Sequence, residues 1–219
     1  MRHLIGYWKP HCKTICVILV LLIAQAFGEL ALPEYTSRIV DVGLQASGIE
    51  HAAPEQISEN RMQQILLLLD ESETEIVEAS YTQTEGGYVR NDDIRGARLD
   101  ELDDVMETPQ ALLYQMAQSG EIDPKEMVQA YQAGMLDKQQ ILDMREQAVS
   151  SIEGMSGTML HQLAVQFVVQ EYQELGIDLN RIQRRYLWIS GAKMLFMTFL
   201  IVLAAVFVEK LGRIDEQKS

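Results

Sequence analysis

Three polar side chains stand where polar side chains are costly. Gln25 and Glu29 interrupt an apolar run near the N-terminus, and Lys193 interrupts a second near the C-terminus. A carboxylate or ammonium inside a bilayer is disfavoured unless it pairs with another helix, faces water or handles a solute or proton. The three are therefore candidates for lining a translocation pathway. Each also has a plainer reading. Glu29 is one turn from Pro33, near a membrane surface, and the Lys193 stem can carry its charge to the headgroups.

Other chemistry is sparse. Cys12 and Cys16 lie four apart, but a metal would need two further ligands, and only His3 and His11 are near. They read as packing at a membrane edge. Residues 91–102 imitate a calcium loop through Asn91, Asp93 and Gly96. Arg95 then puts a cation at the fifth ligand position, and Leu102 replaces the bidentate Glu at the twelfth. Asp100, Glu101, Asp103 and Asp104 read as a solvated acidic face. His161 has no second ligand one turn away and reads as a packed or surface histidine. There is no phosphate-binding Gly-Lys loop, no G-x-S-x-G elbow and no H-E-x-x-H pair. No catalytic residue, metal or cofactor is expected within this sequence, nor any enzyme activity.

The elements that must hold Gln25, Glu29 and Lys193 follow from the apolar runs. Residues 15–27 read ICVILVLLIAQAF, and the apolar character continues to Leu32 before Pro33. Residues 186–208 form a stretch of 23 with one charge, Lys193. A bilayer core asks for about 20 residues of helix, so both runs are expected to span. The first also fits a secretory signal peptide, with Arg2, Lys9 and Lys13 ahead of it and Ala24-Gln25-Ala26 as a cleavage triplet.

The 219 residues carry a net charge of −14 and a mean hydropathy of −0.04, figures that suit an ordinary acidic soluble protein. The distribution is uneven. Residues 1–32 are net +2, residues 33–180 net −20 and residues 181–219 net +4. So acidic a middle repels phosphate backbones, and no nucleic-acid partner is expected. Two cysteines are too few for a disulfide scaffold. Basic residues ahead of the first span place both termini in the cytoplasm and the middle outside. The expected order is an interfacial helix over 1–13, a first span over 14–32, an extracellular acidic helical insert over 33–185, a second span over 186–208 and a cytoplasmic tail over 209–219. The fold class is mainly α: a two-span hairpin with a helical insert that includes one small β-hairpin.

Within the insert, Ser58 can cap a helix carrying Met62, Ile65, Leu66 and Leu69. Ser72 with Glu75 forms a capping box before Ile76, Val77 and Tyr81. Residues 81–84 and 88–90 flank Glu85-Gly86-Gly87 as a hairpin. Residues 95–106 read as a loop or a solvated helix. Residues 107–148 hold a weak repeat of 14 that aligns Leu113, Met127 and Ile141. Its units read as three short helices, with Thr108-Pro109, Asp123-Pro124 and Asp137 as starts and Gly120 and Gly134 as stops. Residues 158–175 form a long amphipathic helix ended by Gly176.

Residues 30–43, LALPEYTSRIVDVG, resemble the outer end of the first span in bacterial multidrug-type ABC exporters, where L-P-x-Y-x-S-x-I-V-[ND]-x-G recurs. Tyr7-Trp8-Lys9-Pro10 is similar to their entry helix. Residues 175–179, Gln183, Tyr186 and Gly191 are similar to their entry into span two. Ala53-Pro54, Met62 and residues 76–81 match more loosely. The resemblance implies the N-terminal part of an exporter membrane domain in the bacterial plasma membrane. It also implies six spans and an ATP-binding domain using ATP and Mg²⁺, of which this sequence contains two spans and no ATP-site position. A truncated frame or split subunit is expected, competent in transport only with further transporter segments or a partner half-transporter. A different class also fits the charge pattern: a membrane-tethered extracellular interaction domain with no transport role.

Overall fold

The computed structural model describes residues 4–120, 123–152 and 157–217, with side chains for 16–120, 123–150 and 157–210. Arg2, His3, residues 121–122 of the second repeat unit and Lys218 lie outside the described residues. So do the side chains of Tyr7, Trp8, Lys9, His11, Cys12 and Lys13. The chain is mainly α with a three-stranded sheet, and it divides into two units: residues 46–183, and residues 1–45 with 184–219.

In the unit 46–183, capping residues set the helix starts. Ser58 caps α2 (Glu59–Leu67) by accepting from the Arg61 N–H. α3 (Glu71–Ser80) is capped by Asp70, not by Ser72. The Asp70 carboxylate accepts from Glu73 N at 2.8 Å, and Glu73 Oε2 accepts from Asp70 N at 2.9 Å. Ser72 donates to Asp70 instead, at 2.8 Å. Both pairs fit the capping-box spacing, and the one nearer the end of α2 prevails. These bonds hold the exposed Asp70 carboxyl below its usual range, the Glu73 N–H first among them.

β2 (Tyr81–Thr84) and β3 (Gly87–Arg90) form the expected hairpin, and β1 (Gln56–Ile57) adds to it antiparallel, in the order β1-β3-β2. Gly87 has φ +123°, and a Cβ there would lie 2.3 Å from the Ile57 carbonyl oxygen, so β1 can pass only a glycine.

α4 (Ala97–Ser119) runs through both the segment expected to be loop or solvated helix and the expected start at Thr108-Pro109. Pro109 denies the Val105 carbonyl its donor, at a typical cost of about 3 kcal/mol. The helix continues because Leu102, Met106, Pro109 and Leu113 make one buried stripe along it. The first 14-residue unit is thus the second half of a long helix. The other two units are separate helices, α5 (Pro124–Gln132) capped by Asp123 and α6 (Lys138–Ile152) started by reciprocal Asp137–Gln140 bonds. Leu113, Met127 and Ile141 are all buried, and Gly120 and Gly134 are left-handed at φ 67° and 68°.

α7 (Gly157–Glu174) is buried on two sides. Phe167 joins the main core with Met62, Ile65, Leu102, Met106 and Leu113. Val165, Val168, Val169 and Tyr172 pack with Ala46 and Ile49 in a smaller cluster.

The other unit consists of α1 (Leu4–Arg38), a π-helical segment (Ile39–Gln45) and α8 (Leu179–Gln217) from residue 184 onward. From Leu4 onward the expected interfacial helix and first span lie on one element: α1 is continuous from Leu4 to Arg38, and Pro33 sits inside it. Among the described residues, two helical stretches, Cys16–Gln45 and Leu179–Lys210, are long and apolar enough to cross a membrane; the first runs on past the expected end at Leu32, and the second passes both expected ends.

Candidate functional site

The residues that the hairpin unit covers are few and regularly spaced. On α1 and its π-helical extension they include Ile18, Leu21, Gln25, Gly28, Leu32 and Tyr35, at alternating intervals of three and four. On α8, Leu187, Ser190, Met194, Met197, Ile201 and Ala204 follow the same rule. This is the 3.5-residue period of helices packed side by side at a shallow angle.

Glycine lets the two approach. A Cβ on Gly28 would stand 2.6 Å from Ile201 Cγ1, and one on Gly43 would stand 2.7 Å from Leu187 Cδ2. Residue 28 meeting 201 and residue 43 meeting 187 makes the pair antiparallel. Tyr186 Oη donates to the Arg38 carbonyl at 3.4 Å near the Gly43 end. Small residues at a helix crossing are the usual solution in lipid, where close packing replaces the hydrophobic drive. The π-helical turn beside Gly43 widens the backbone where that approach occurs, a local irregularity that often marks a working position.

Of the three sequence candidates, Gln25 lies on the seam and is partly covered, while Glu29 is exposed one turn on. Gln25 Nε2 donates to Glu29 Oε1 at 2.9 Å. The two form one polar unit, with Gln25 partly covered and the Glu29 carboxylate exposed. Lys193 is exposed on α8, off the seam next to Met194, and takes no part in that pair. An amide and a carboxylate so placed can bind a cation or a hydrogen-bonding solute, or pair with a further helix.

No protein-family model matches this chain, no curated protein matches it, and no solved structure matches it.

The unit 46–183 contains polar pairs that the sequence does not announce. Asp103, expected on a solvated acidic face, is buried: its Oδ1 accepts from Ala53 N at 2.7 Å, and its Oδ2 lies 2.5 Å from His51 Nδ1. One turn along α4, Glu107 lies 2.5 Å from His161 Nδ1, whose other ring nitrogen is 3.1 Å from the Glu50 carbonyl. Both imidazoles titrate above their ordinary range, chiefly through the hydrogen bonds to Asp103 and Glu107, while burial opposes the shift.

A third constellation is deeper. Fully buried Glu171 accepts from Ser58 N at 2.6 Å, and Arg61 Nε lies 3.3 Å from its other oxygen, an ion pair without hydrogen-bond alignment. The Arg61 guanidinium also lies 5.0 Å from the centre of the Phe167 ring. Tyr172, whose hydroxyl accepts from Glu55 N at 2.7 Å, is pushed up to about 12 by burial. The only local signal for these pairs was the Asp103 and Glu107 spacing of one helical turn, hidden in an acidic run. Among the described residues no group of acidic, histidine or cysteine side chains could hold a metal ion.

Proposed function

We propose that this chain supplies part of the membrane domain of an ABC-type exporter in the bacterial plasma membrane, with both ends cytoplasmic and residues 46–183 outside. The observation that carries the reading is the placement of the LALPEYTSRIVDVG stretch. Leu32, Tyr35 and Ile39 fall on the partly covered stripe of the first helix, Gly43 lies against Leu187 of α8, and Ser37 donates to Asp41 at 2.9 Å. These are the residues through which the sequence resembles exporter first spans. Gln25 and Glu29 would face the pathway, and Lys193 would stand at its rim. Two helices cannot enclose a path, so transport calls for further spans and an ATPase domain, in this polypeptide or another. In this reading nucleotide binding and hydrolysis belong to those other segments.

The test is purification of the chain from its native membrane in mild detergent. The expected result is a stoichiometric complex with vanadate-sensitive ATP hydrolysis that Glu29→Gln alters. A chain that purifies alone, with no ATPase in complex, would overturn the reading. It would favour the second one, a membrane-tethered extracellular interaction domain, which the separate closed core of residues 46–183 supports.

A further inference from the structure

The unit 46–183 has a groove of about 740 Å³ between α2, α3 and α5. Its floor is apolar: Leu66 and Leu67 from α2, Ala79 from α3, and Val128 and Tyr131 from α5. One wall is anionic. Glu71, Glu75 and Glu78 all line it and are exposed, in a row at i, i+4 and i+7 on α3.

The cations nearby are already engaged. Lys138, at one end, donates to the Leu66 and Leu67 carbonyls at 2.6 and 2.9 Å, closing the C-terminal end of α2. Arg145 makes two bonds to Glu73, which is not among the lining residues. The three carboxylates have no hydrogen-bond or ion-pair partner among the described residues, so the groove presents uncompensated negative charge beside apolar surface.

We propose that this groove binds a cationic amphipathic peptide segment. The charge row sets the class of ligand. At 1.5 Å rise per residue the three carboxylates extend over roughly 10 Å, about two turns of helix. A small monocation would use one of them. A partner helix with Lys or Arg at i, i+4 and i+7, and leucines on the adjacent face, meets all three while its apolar stripe covers Leu66, Val128 and Tyr131. The volume lies within the usual range for a ligand-binding cleft. Such binding weakens with salt, because the wall is solvent-exposed.

The experiment uses the full chain in nanodiscs of zwitterionic lipid, with empty discs as the baseline. The probe is a fluorescein-labelled helical peptide of leucine and lysine with that spacing, followed by anisotropy. A water-soluble carbodiimide then joins peptide amines to protein carboxylates, and mass spectrometry maps the joins. Saturable binding above the empty discs is expected, with joins at Glu71, Glu75 and Glu78. The combined E71Q, E75Q and E78Q variant should lose about tenfold in affinity, the sum of three exposed ion pairs. The variant E85Q, D92N and D100N removes the same charge from other exposed positions and should bind within about twofold of the parent. Y131S should weaken binding while leaving circular dichroism unchanged. The proposal fails if both charge variants lose affinity alike, if the joins scatter over other carboxylates, or if binding does not exceed that of empty discs.

Discussion

The two units handle their apolar residues in opposite ways. In residues 46–183, Ile65, Leu102, Met106, Leu113 and Phe167 are shut away from the surface by neighbouring helices. Among the residues of the hairpin unit whose side chains are described, only Gly28, Gly43 and Ser190 are buried, while Phe27, Leu30 and Leu195 are 71%, 76% and 74% exposed. Two facing stripes cannot cover helices that are apolar all round. A water-facing surface of that kind would aggregate, whereas lipid or further helices satisfy it at no cost. Hydrophobicity in the first unit therefore drives folding, and in the second it selects the surroundings.

Substitutions sharpen the contrast, beginning with the largest effect. Phe167→Ala leaves a cavity between α4 and α7 and should cost about 3–5 kcal/mol of stability. Phe196→Ala, on the outward face of α8, should cost well under about 1 kcal/mol. Denaturant unfolding of the full chain in nanodiscs, read by circular dichroism, compares the two. Similar losses would erase the distinction. Next is Glu171→Ala, which removes the acceptor of the Ser58 N–H while Arg61 keeps its 2.8 Å pair with Glu174, and should cost about 2 kcal/mol by the same assay.

On the seam, Gly28→Leu forces Ile201 aside. Overpacking of this kind costs about 1–3 kcal/mol. Spin labels at Leu22 and Val206 should report a wider helix separation, and an unchanged distance would remove Gly28 from the contact.

The smallest effect is that of pH. His51 and His161 titrate higher in the folded chain than their ordinary 6.5, through Asp103 and Glu107, with Glu50 adding to both and Arg90 opposing for His51. Their contribution is therefore full below about 6.5 and is lost as pH rises through the raised values. The thermal midpoint should fall modestly between about pH 6 and about pH 9, and the combined H51Q and H161Q variant should flatten that part of the profile. A midpoint that rises over this interval would contradict the pairing.

Much of this was legible in the residues. The two apolar runs, the Ser58 and Asp123 caps, the hairpin around Gly86 and the left-handed Gly120 and Gly134 all depend on local chemistry, and the sequence is sufficient for them. Pro109 shows where local rules fail: its start signal is genuine, but the stripe from Leu102 to Leu113 outweighs it. β1 is two residues long and exists only because β3 offers an edge. The Gln25–Glu29 pair was visible as a spacing of four, whereas its position on a seam depended on knowing which face meets α8. The pairs of His51 with Asp103 and of His161 with Glu107 join residues 52 and 54 apart, beyond any local pattern.

The most direct test labels single cysteines with a membrane-impermeant maleimide in intact cells, in a background where Cys12 and Cys16 are serine. Glu85→Cys, in the hairpin turn of the insert, should react from outside. Phe196→Cys should not react, and Lys210→Cys should react only after permeabilisation. Outside labelling at residue 196, or labelling at residue 85 only after permeabilisation, would contradict a lipid-embedded hairpin carrying a water-facing extracellular unit.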